Sequence, residues 1–360
     1  KEKEAIDLPE NFHKISDRHF NECRICLKRI KEGISLLKTD KNIRDSFRLA
    51  NLSMLLQQIA TKEIKKRDLI WNDDQKLHVP ESDYISPWDI YRNSSENSDS
   101  IGGWRAFQIA FLLMSIRGIT DKDSDEREMV DLIWFPTGGG KTEAYLAVMA
   151  FYMFSERFQI KDSGDEFRRD GTNILMRYTL RMLTTQQFER AASLICSMEY
   201  LRRHPEFINH PGIKGTRFSL GLWIGSSATP NKIKKANEEI KEFKAGKIEG
   251  NPLVLTDCPW CRTKIGKFGR KAVLRGISED KKEGPLLFCP DGICEFGSES
   301  RDDFIPVEVI DGRIYKNPPS VIISTADKLA LIAYRPEAGS LFGRKSNENS
   351  GVNKIFRPPQ

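Results

Sequence analysis

The chain has 360 residues, of which 39% are hydrophobic and 30% are charged, with 17 Pro and 25 Gly, so a disordered, collagen-like or low-complexity protein is excluded. Its net charge of +6, from 57 basic and 51 acidic residues, permits an anionic partner such as nucleic acid without requiring one. The longest apolar run, residues 144–154, is too short to span a bilayer, and seven cysteines are an odd number, so we expect a cytoplasmic protein with reduced thiols and no membrane contact.

The first part of the chain has the periodicity of helices. Apolar side chains recur every three to five positions from Ile15 onward, which predicts a helical region over residues 1–78. Residues 79–102 contain two prolines and an Asn- and Ser-rich run, which predicts a linker or surface loop. Cys23 and Cys26 fall on the apolar face of the first helix, and we predict that both are buried core cysteines; a metal role together with His19 is the alternative. We predict that Cys196 is also a core cysteine.

From residue 103 onward, strand and helix patterns alternate. The predicted strands are 130–135, 174–178, 218–224 and 321–324, and the predicted helices between them are 141–158 and 186–201. This alternation is typical of an α/β fold with a parallel sheet. Residues 231–317 interrupt it, since they begin with a lysine-rich helix over 232–247 and carry four of the seven cysteines. We interpret 231–317 as an insertion into the α/β domain.

A glycine cluster stands between the first predicted strand and its helix, which is the place of a phosphate-binding loop. In Phe135-Pro-Thr-Gly-Gly-Gly-Lys-Thr142, the glycines allow successive backbone N–H groups to turn toward a phosphate beside the positive end of a helix dipole. Lys141 is predicted to reach the β- and γ-phosphates of ATP, and the Thr142 hydroxyl to bind Mg²⁺. The strict pattern has glycine where this chain has Phe135. The alternative is an ordinary glycine-rich turn.

This loop resembles motif I of superfamily 2 helicases and translocases, Pro-Thr-Gly-x-Gly-Lys-Thr, which commonly lacks the first glycine. The resemblance implies a RecA-like P-loop domain formed by 103–230 and 318–360. It assigns ATP to Pro136, Thr137, Gly138, Gly139, Gly140, Lys141 and Thr142. Upstream, Trp104-Arg-Ala-Phe-Gln108 is similar to the Arg-x-aromatic-Gln element of these enzymes, in which the amide of Gln108 would pair with adenine and Arg105 or Phe107 would cover the ring. An exposed Gln at an ordinary helix start is the alternative.

Two further segments are similar to the superfamily 2 motifs that hold nucleic acid. Residues 176–187 follow the second predicted strand and resemble motif Ia, and residues 320–329 resemble motif Ib. In these motifs hydroxyls, a basic side chain and backbone N–H groups contact strand phosphates. The resemblance assigns DNA to Thr179, Arg181, Gln186, Thr325 and Lys328. A solvated charge at a helix entry is the alternative for Arg181. Ser227-Ala-Thr229 spells a helicase motif but precedes the motif Ib segment, so we predict a plain loop there.

Four cysteines of the predicted insertion form two knuckles. Cys258-Pro-Trp-Cys261 and the second pair, Cys289 and Cys294, are separated by 27 residues. Four thiolates on two tight turns suit tetrahedral Zn²⁺, and a full coordination shell makes such a site structural. We therefore predict a zinc-ribbon-like insertion. Two disulfides are the alternative, which a reducing setting disfavours.

Longer strings carry a more specific resemblance. Residues 47–51, 131–144, 175–181 and 334–338 resemble the large helicases of bacterial antiphage defence islands, of the DISARM or Druantia type. The resemblance implies ATP-driven action on phage DNA, beside another subunit of the same defence system. The Asp-Glu strand end of motif II does not occur in the sequence, so we predict the N-terminal portion of a larger enzyme, nearly inactive alone.

Two alternatives remain open for the function. One is a DNA-binding scaffold whose nucleotide site gates conformation without hydrolysis. The other is a small-molecule P-loop kinase, which the two DNA-motif segments and the insertion disfavour.

Overall fold

The structure is a computed structural model that describes residues 9–94, 102–134, 138–159, 171–178, 181–207, 210–225, 228–270, 272–297, 303–330 and 332–343, with only the backbone for 10, 181–185, 205 and 211. The chain divides into two units. The first comprises Lys1–Asn51 and Gly103–Gln159, and the second comprises Leu52–Gly102 and Ile160–Gln360.

Helices occur along the whole described chain, and the strands lie in the second unit. The α-helices are α1 (Glu10–Thr39), α2 (Lys41–Lys62), α3 (Pro87–Asn93), α4 (Ala106–Thr120), α5 (Lys141–Phe158), α6 (Arg181–Arg203), α7 (Ile233–Lys244), α8 (Asp311–Lys316) and α9 (Ala326–Ala330). The strands are β1 (Leu69–Asn72), β2 (Leu77–Pro80), β3 (Ile174–Tyr178), β4 (Leu220–Trp223), β5 (Gly266–Phe268), β6 (Val273–Arg275), β7 (Val307–Glu308) and β8 (Val321–Thr325). Of the helices described, none is both long and apolar enough to cross a membrane.

The first unit is helical, with α4 packed against both α1 and α5. Where α1 crosses α4, Gly33 permits close approach, because a Cβ there would lie 2.1 Å from the carbonyl oxygen of Leu113. The buried Arg29 of α1 donates to both carboxylate oxygens of Asp131, at 2.6 and 2.9 Å, and its Nε lies 3.2 Å from Glu126. These ion pairs anchor the start of the segment that leads to the glycine-rich loop.

The cysteines of α1 do not lie in a core. Cys23 is exposed and Cys26 is half-buried, so the prediction of buried core cysteines is wrong for this pair. The reason is that α1 contacts α4 near Arg29 and Gly33, whereas no side chain from residue 11 to residue 28 is buried. Cys196 of α6 is fully buried, as predicted.

The strand predicted at 130–135 is not formed in this structure. Residues 130–134 belong to no helix or strand, and residue 135 lies outside the described part of the chain. Val130, Leu132 and Trp134 are 95%, 83% and 88% exposed. Their period of two is that of a strand, but no described strand pairs with this segment, and an unpaired strand is not stable in water.

The second unit contains a four-stranded parallel sheet in the order β3-β8-β4-β7. The strands predicted at 174–178, 218–224 and 321–324 are confirmed as β3, β4 and β8. Every residue of β4 and β8 is buried, as expected for inner strands of a parallel sheet that is covered on both faces. The mixed α/β class with a parallel sheet is therefore confirmed.

Helices cover this sheet. Trp223 of β4 and Ile322 of β8 form a core cluster with Ile314 of α8 and with Ala338 and Leu341 near the end of the described chain. Helix α6 packs against β3, β8 and β4. It begins at Arg181, five residues earlier than the helix predicted from residue 186. The residues assigned to a motif Ia loop therefore include the first turn of α6.

Several elements of the second unit were not predicted. The hairpin β1–β2 begins in the range predicted as helical and ends in the range predicted as a linker. Helix α3 also lies in that linker range, of which 95–101 are outside the described residues. Helix α3 has a capping box between Ser86 and Asp89, with Pro87 at its first turn. Strand β7 falls in the predicted insertion and yet pairs with β4. The lysine-rich helix predicted there is confirmed as α7.

Candidate functional site

The loop predicted to bind phosphate contains two glycines with left-handed backbone. Gly138 has φ 80° and Gly140 has φ 88°, values that favour glycine because it has no Cβ. Gly140 is the residue that precedes α5, and Lys141 and Thr142, both half-buried, form the first turn of that helix. Pro136 and Thr137 lie outside the described residues. The helix predicted over 141–158 is confirmed.

Two side chains at the start of α4 hold this loop. Arg105 donates from Nη1 to the carbonyl of Gly139 at 2.7 Å, and Gln108 donates from Nε2 to the carbonyl of Gly140 at 2.8 Å. Gln108 also accepts at Oε1 from the backbone N–H of Arg105, at 2.9 Å. A Cβ on Gly140 would lie 2.5 Å from Gln108 Nε2, so this contact requires glycine.

Arg105 and Gln108 together form a clamp, and this clamp orients the peptide groups of the loop. In a trans peptide the C=O and the following N–H point in opposite directions, and the described chain contains no cis peptide. Because the carbonyls of Gly139 and Gly140 face Arg105 and Gln108, the N–H groups of Gly140 and Lys141 point away from those side chains. A loop that receives an anion needs this orientation.

The polar atoms of Gln108 are engaged within the chain. The side chain is 5% exposed, with its amide nitrogen on Gly140 and its amide oxygen on Arg105. Phe107 beside it is half-buried, and Arg105 is exposed. The residues assigned to adenine therefore lie next to the loop predicted to bind phosphate, where Gln108 supports the loop backbone.

The two segments assigned to DNA follow neighbouring strands. Strands β3 and β8 are parallel, with Tyr178 opposite Thr325, so the residues that follow them emerge at the same edge of the sheet. Arg181 begins α6, and Gln186 of the same helix is exposed. Thr179 lies outside the described residues. The carboxyl edge of a parallel sheet is where such folds bind ligands.

Lys328 lies inside the second unit. It is 7% exposed, its Nζ lies 2.5 Å from Oδ2 of Asp311, and it stands 5.6 Å from the ring centroid of Trp223. Thr325 is also buried. Burial raises the pKa of Asp311, and the hydrogen bond from Lys328 opposes that shift. Asp311 was not predicted as the partner of Lys328, because it belongs to the range predicted as an insertion.

The Ser-Ala-Thr segment has no element of its own. Ala228 and Thr229 lie outside the helices and strands, as predicted, and Ser227 is outside the described residues.

The four cysteines of the predicted knuckles meet in one cluster. Their sulfurs all lie within 4.8 Å of one another, and all four residues are buried free thiols: Cys258, Cys261, Cys289 and Cys294. The Sγ–Sγ distance is 4.0 Å from Cys258 to Cys294 and 3.4 Å from Cys261 to Cys289. Tetrahedral Zn²⁺ with bonds of about 2.3 Å places its sulfurs about 3.8 Å apart, whereas a disulfide needs about 2.05 Å. The donor set and its spacing fit a zinc ion.

Tight turns bring these thiols together. In the first knuckle, the N–H of Arg262 donates to the carbonyl of Cys258 at 3.0 Å, and Arg262 has a left-handed φ of 62°. In the second knuckle, the N–H of Cys289 donates to the carbonyl of Phe296 at 2.6 Å. Gly297 has no room for a side chain, since a Cβ would lie 2.3 Å from the carbonyl oxygen of Asp291.

Burial opposes ionisation of the thiols in this cluster. Burial opposes ionisation of Cys261, but hydrogen bonds from the other cysteines and from Thr263 hold its pKa well below the ordinary value. Burial raises the pKa of Cys289 and of Cys294 well above the ordinary value. Metal binding therefore has to displace protons from buried thiols.

Residues far from the knuckles in sequence complete their surroundings. Trp260, fully buried, stacks on Tyr200 of α6 with ring centroids 4.8 Å apart and donates from Nε1 to the hydroxyl of Tyr84 at 3.0 Å. Arg67 contacts Thr263 and Asp291, one from each knuckle. Nothing in the sequence pattern indicated Arg67, because a Lys-Lys-Arg run after a helix is typical of a solvated surface.

The chain is similar to a known protein of bacterial defence. The chain is 34% identical over 340 residues, 91% of its length, to DISARM protein DrmA of Bacillus paralicheniformis. The match covers 27% of that protein. The resemblance to a DISARM protein, indicated by strings such as 131–144, is thereby confirmed. No protein-family model matches the chain.

Proposed function

We propose that this chain is the ATP-binding part of a DNA helicase or translocase motor, with a RecA-like fold, that acts in DISARM antiphage defence. The similarity to DISARM protein DrmA supports a role in DISARM defence beside a second subunit of the same system. Phage DNA is the proposed substrate. The observation that carries the motor is the loop at 138–142, in which two left-handed glycines precede a helix that starts with Lys-Thr. A nucleotide-gated scaffold shares that loop and differs in lacking hydrolysis.

In this proposal the loop holds the phosphates of ATP. The N–H groups of Gly140 and Lys141 point away from the clamp formed by Arg105 and Gln108, and they donate to phosphate oxygens. The Lys141 ammonium neutralises the β- and γ-phosphates. Mg²⁺, held by the Thr142 hydroxyl and the phosphates, would supply charge neutralisation at the transferred phosphoryl group.

The DNA interface in this proposal is the edge of the sheet where β3 and β8 end. The register of Tyr178 with Thr325 puts the two segments side by side, and Gln186 is exposed on α6. Phosphate contacts from Thr179, Arg181 and Gln186 would position the strand without reading its sequence. Lys328 and Thr325, both buried, support this edge from inside.

The zinc ion in this proposal is structural. Four buried thiols fill a tetrahedral shell and leave no open position for catalysis. The bound ion would stabilise a region with little regular structure, in which β5 and β6 have three residues each.

The test is ATP binding and DNA-stimulated ATP hydrolysis by the longer protein that contains this chain. Lys141→Ala is expected to abolish stimulated hydrolysis while circular dichroism stays unchanged. The matched control is Lys28→Ala, which removes the same charge from a side chain that is 73% exposed on α1. Hydrolysis that persists in Lys141→Ala would refute the loop assignment. ATP binding without any hydrolysis by the unaltered protein would favour the scaffold.

A further inference from the structure

Arg67 is a buried cation between the two cysteine knuckles. It follows α2 by five residues, and its side chain is 6% exposed. From Nη2 it donates to Thr263 Oγ1 at 2.6 Å and to Asp291 Oδ2 at 2.9 Å. Its backbone joins the first knuckle as well, since its N–H donates to Arg262 at 3.1 Å and its carbonyl accepts from Lys264 at 2.9 Å.

The contact between Arg67 and Thr263 connects the guanidinium to a cysteine sulfur. Thr263 Oγ1 lies 3.2 Å from Cys261 Sγ. Because Arg67 occupies a lone pair of the Thr263 hydroxyl as a donor, the hydroxyl proton is free to point at the sulfur. A thiolate at Cys261 accepts that proton, so the guanidinium acts on the thiolate through Thr263.

The contact between Arg67 and Asp291 connects the guanidinium to the second knuckle. Asp291 accepts from Arg67 at Oδ2, and at Oδ1 it accepts from the N–H of Ile293 at 3.1 Å, inside the turn between Cys289 and Cys294. A single guanidinium therefore connects a ligand of the first knuckle with the turn of the second. Four thiolates around a divalent ion carry a net charge of −2, and Arg67 is a buried positive charge bound to both knuckles.

We propose that Arg67 is a positioning residue of the metal centre, which orients Cys261 through Thr263 and the second knuckle through Asp291, and which offsets the charge of the tetrathiolate. The inference rests on the proposed zinc site. Outer groups of this kind fix the orientation of metal ligands and tune their donor strength.

The same contacts make the metal and the segment after α2 depend on each other. Arg67 also donates from Nη1 to the carbonyl of Ser82 at 3.1 Å and lies 5.7 Å from the ring centroid of Tyr84. Lys66 next to it forms an ion pair with Asp257 at 2.6 Å. If docking of residues 66–84 strengthens metal binding, metal binding strengthens docking by the same factor. Removal of the metal therefore exposes the peptide bond after Arg67.

The experiment measures Zn²⁺ affinity of the full chain by competition with a chromophoric chelator, and the absorption of the Co²⁺-substituted chain. Arg67→Met is expected to weaken Zn²⁺ binding by roughly 10- to 100-fold, the range for loss of an outer-shell partner. It also shifts the thiolate-to-cobalt charge-transfer band to lower energy, because a thiolate with fewer hydrogen bonds is easier to oxidise. Thr263→Val, which keeps the shape and removes the hydroxyl, shifts the band in the same direction, and Thr263→Ser restores it.

The control is Lys244→Met, which removes a cation from an exposed ion pair with Glu279 in the same unit and leaves affinity and band unchanged. Trypsin is expected to cleave after Arg67 faster in the chelated chain than in the zinc-bound chain. Arg67→Met and Thr263→Val variants that bind Zn²⁺ as tightly as the unaltered chain, with the same cobalt band, would overturn the proposal. An unaltered chain that binds neither Zn²⁺ nor Co²⁺ would instead refute the zinc site itself.

Discussion

Replacement of Lys328 by Met tests whether this lysine is an internal partner of Asp311 or a contact for DNA. The carboxylate of Asp311 is 2% exposed, and its Oδ1 has no hydrogen-bond partner among the described residues. Its Oδ2 accepts from Lys328 at 2.5 Å. Lys328→Met therefore removes the hydrogen-bonded counter-charge of a buried carboxylate and leaves only the weaker influence of Arg335.

The expected loss in the free energy of unfolding is about 3–5 kcal/mol, the cost of breaking a buried ion pair by removing one partner. The loss depends on pH, because burial raises the pKa of Asp311 and Lys328 no longer opposes this shift. A raised folded-state pKa lowers stability as the pH rises above about 3.9, the value for an unfolded Asp. The variant is thus least stable, relative to the unaltered chain, near neutral pH and recovers as the medium becomes acidic.

Urea unfolding at pH 7 and pH 5 measures this loss, and the double variant Lys328→Met with Asp311→Asn measures the coupling. We expect the double variant to be more stable than Lys328→Met alone at pH 7. DNA affinity as a function of salt provides the second readout. A cost below about 1 kcal/mol, together with a salt slope that falls by about one, would refute the internal role and show that Lys328 neutralises a phosphate.

Three further outcomes are expected. Gly140→Ala is expected to disrupt the phosphate loop, because φ 88° and the contact with Gln108 exclude a Cβ. The control Gly103→Ala is expected to be neutral, because a Cβ there would meet no atom within 4 Å; ATP binding by both variants checks this. Mass spectrometry finds one zinc ion per chain, and Cys258→Ser or a strong chelator removes it and lowers the melting temperature; a metal-free chain of equal stability would contradict the site. Leu132→Asp is expected to change the unfolding free energy of the chain by less than about 0.5 kcal/mol, because Leu132 is 83% exposed. A larger loss would show that Leu132 is buried, as the predicted strand requires.

The inner strands of the sheet and the clustering of the four cysteines could be predicted from the sequence for physical reasons. A continuous apolar run such as β8 has few stable alternatives to burial in a parallel sheet. The geometry of each cysteine pair depends on nearby residues alone, because the spacing of two cysteines on a tight turn decides whether their sulfurs can approach each other. Helix α5 could be placed to the residue because glycines end the preceding segment and an apolar run follows.

What could not be predicted depends on partners distant in the chain. The alternation of Val130, Leu132 and Trp134 is a property of the segment, but a strand also needs a neighbour, and periodicity does not name one. In the sequence, Lys328 cannot be distinguished from a basic residue that contacts DNA, because its partner Asp311 is brought beside it only by the fold. Arg67 is separated from Thr263 by 196 positions, so no local pattern relates them.

ATP binding at the loop is the most direct test of the central claim. Titration of the chain with Mg²⁺ and a fluorescent ATP analogue is expected to saturate, and unlabelled ATP is expected to displace the analogue. Lys141→Ala is expected to lower the affinity by about tenfold or more, because a charged donor to phosphate contributes roughly 1.5–3 kcal/mol. Equal binding by the unaltered chain and Lys141→Ala, or none by the unaltered chain, would contradict the account.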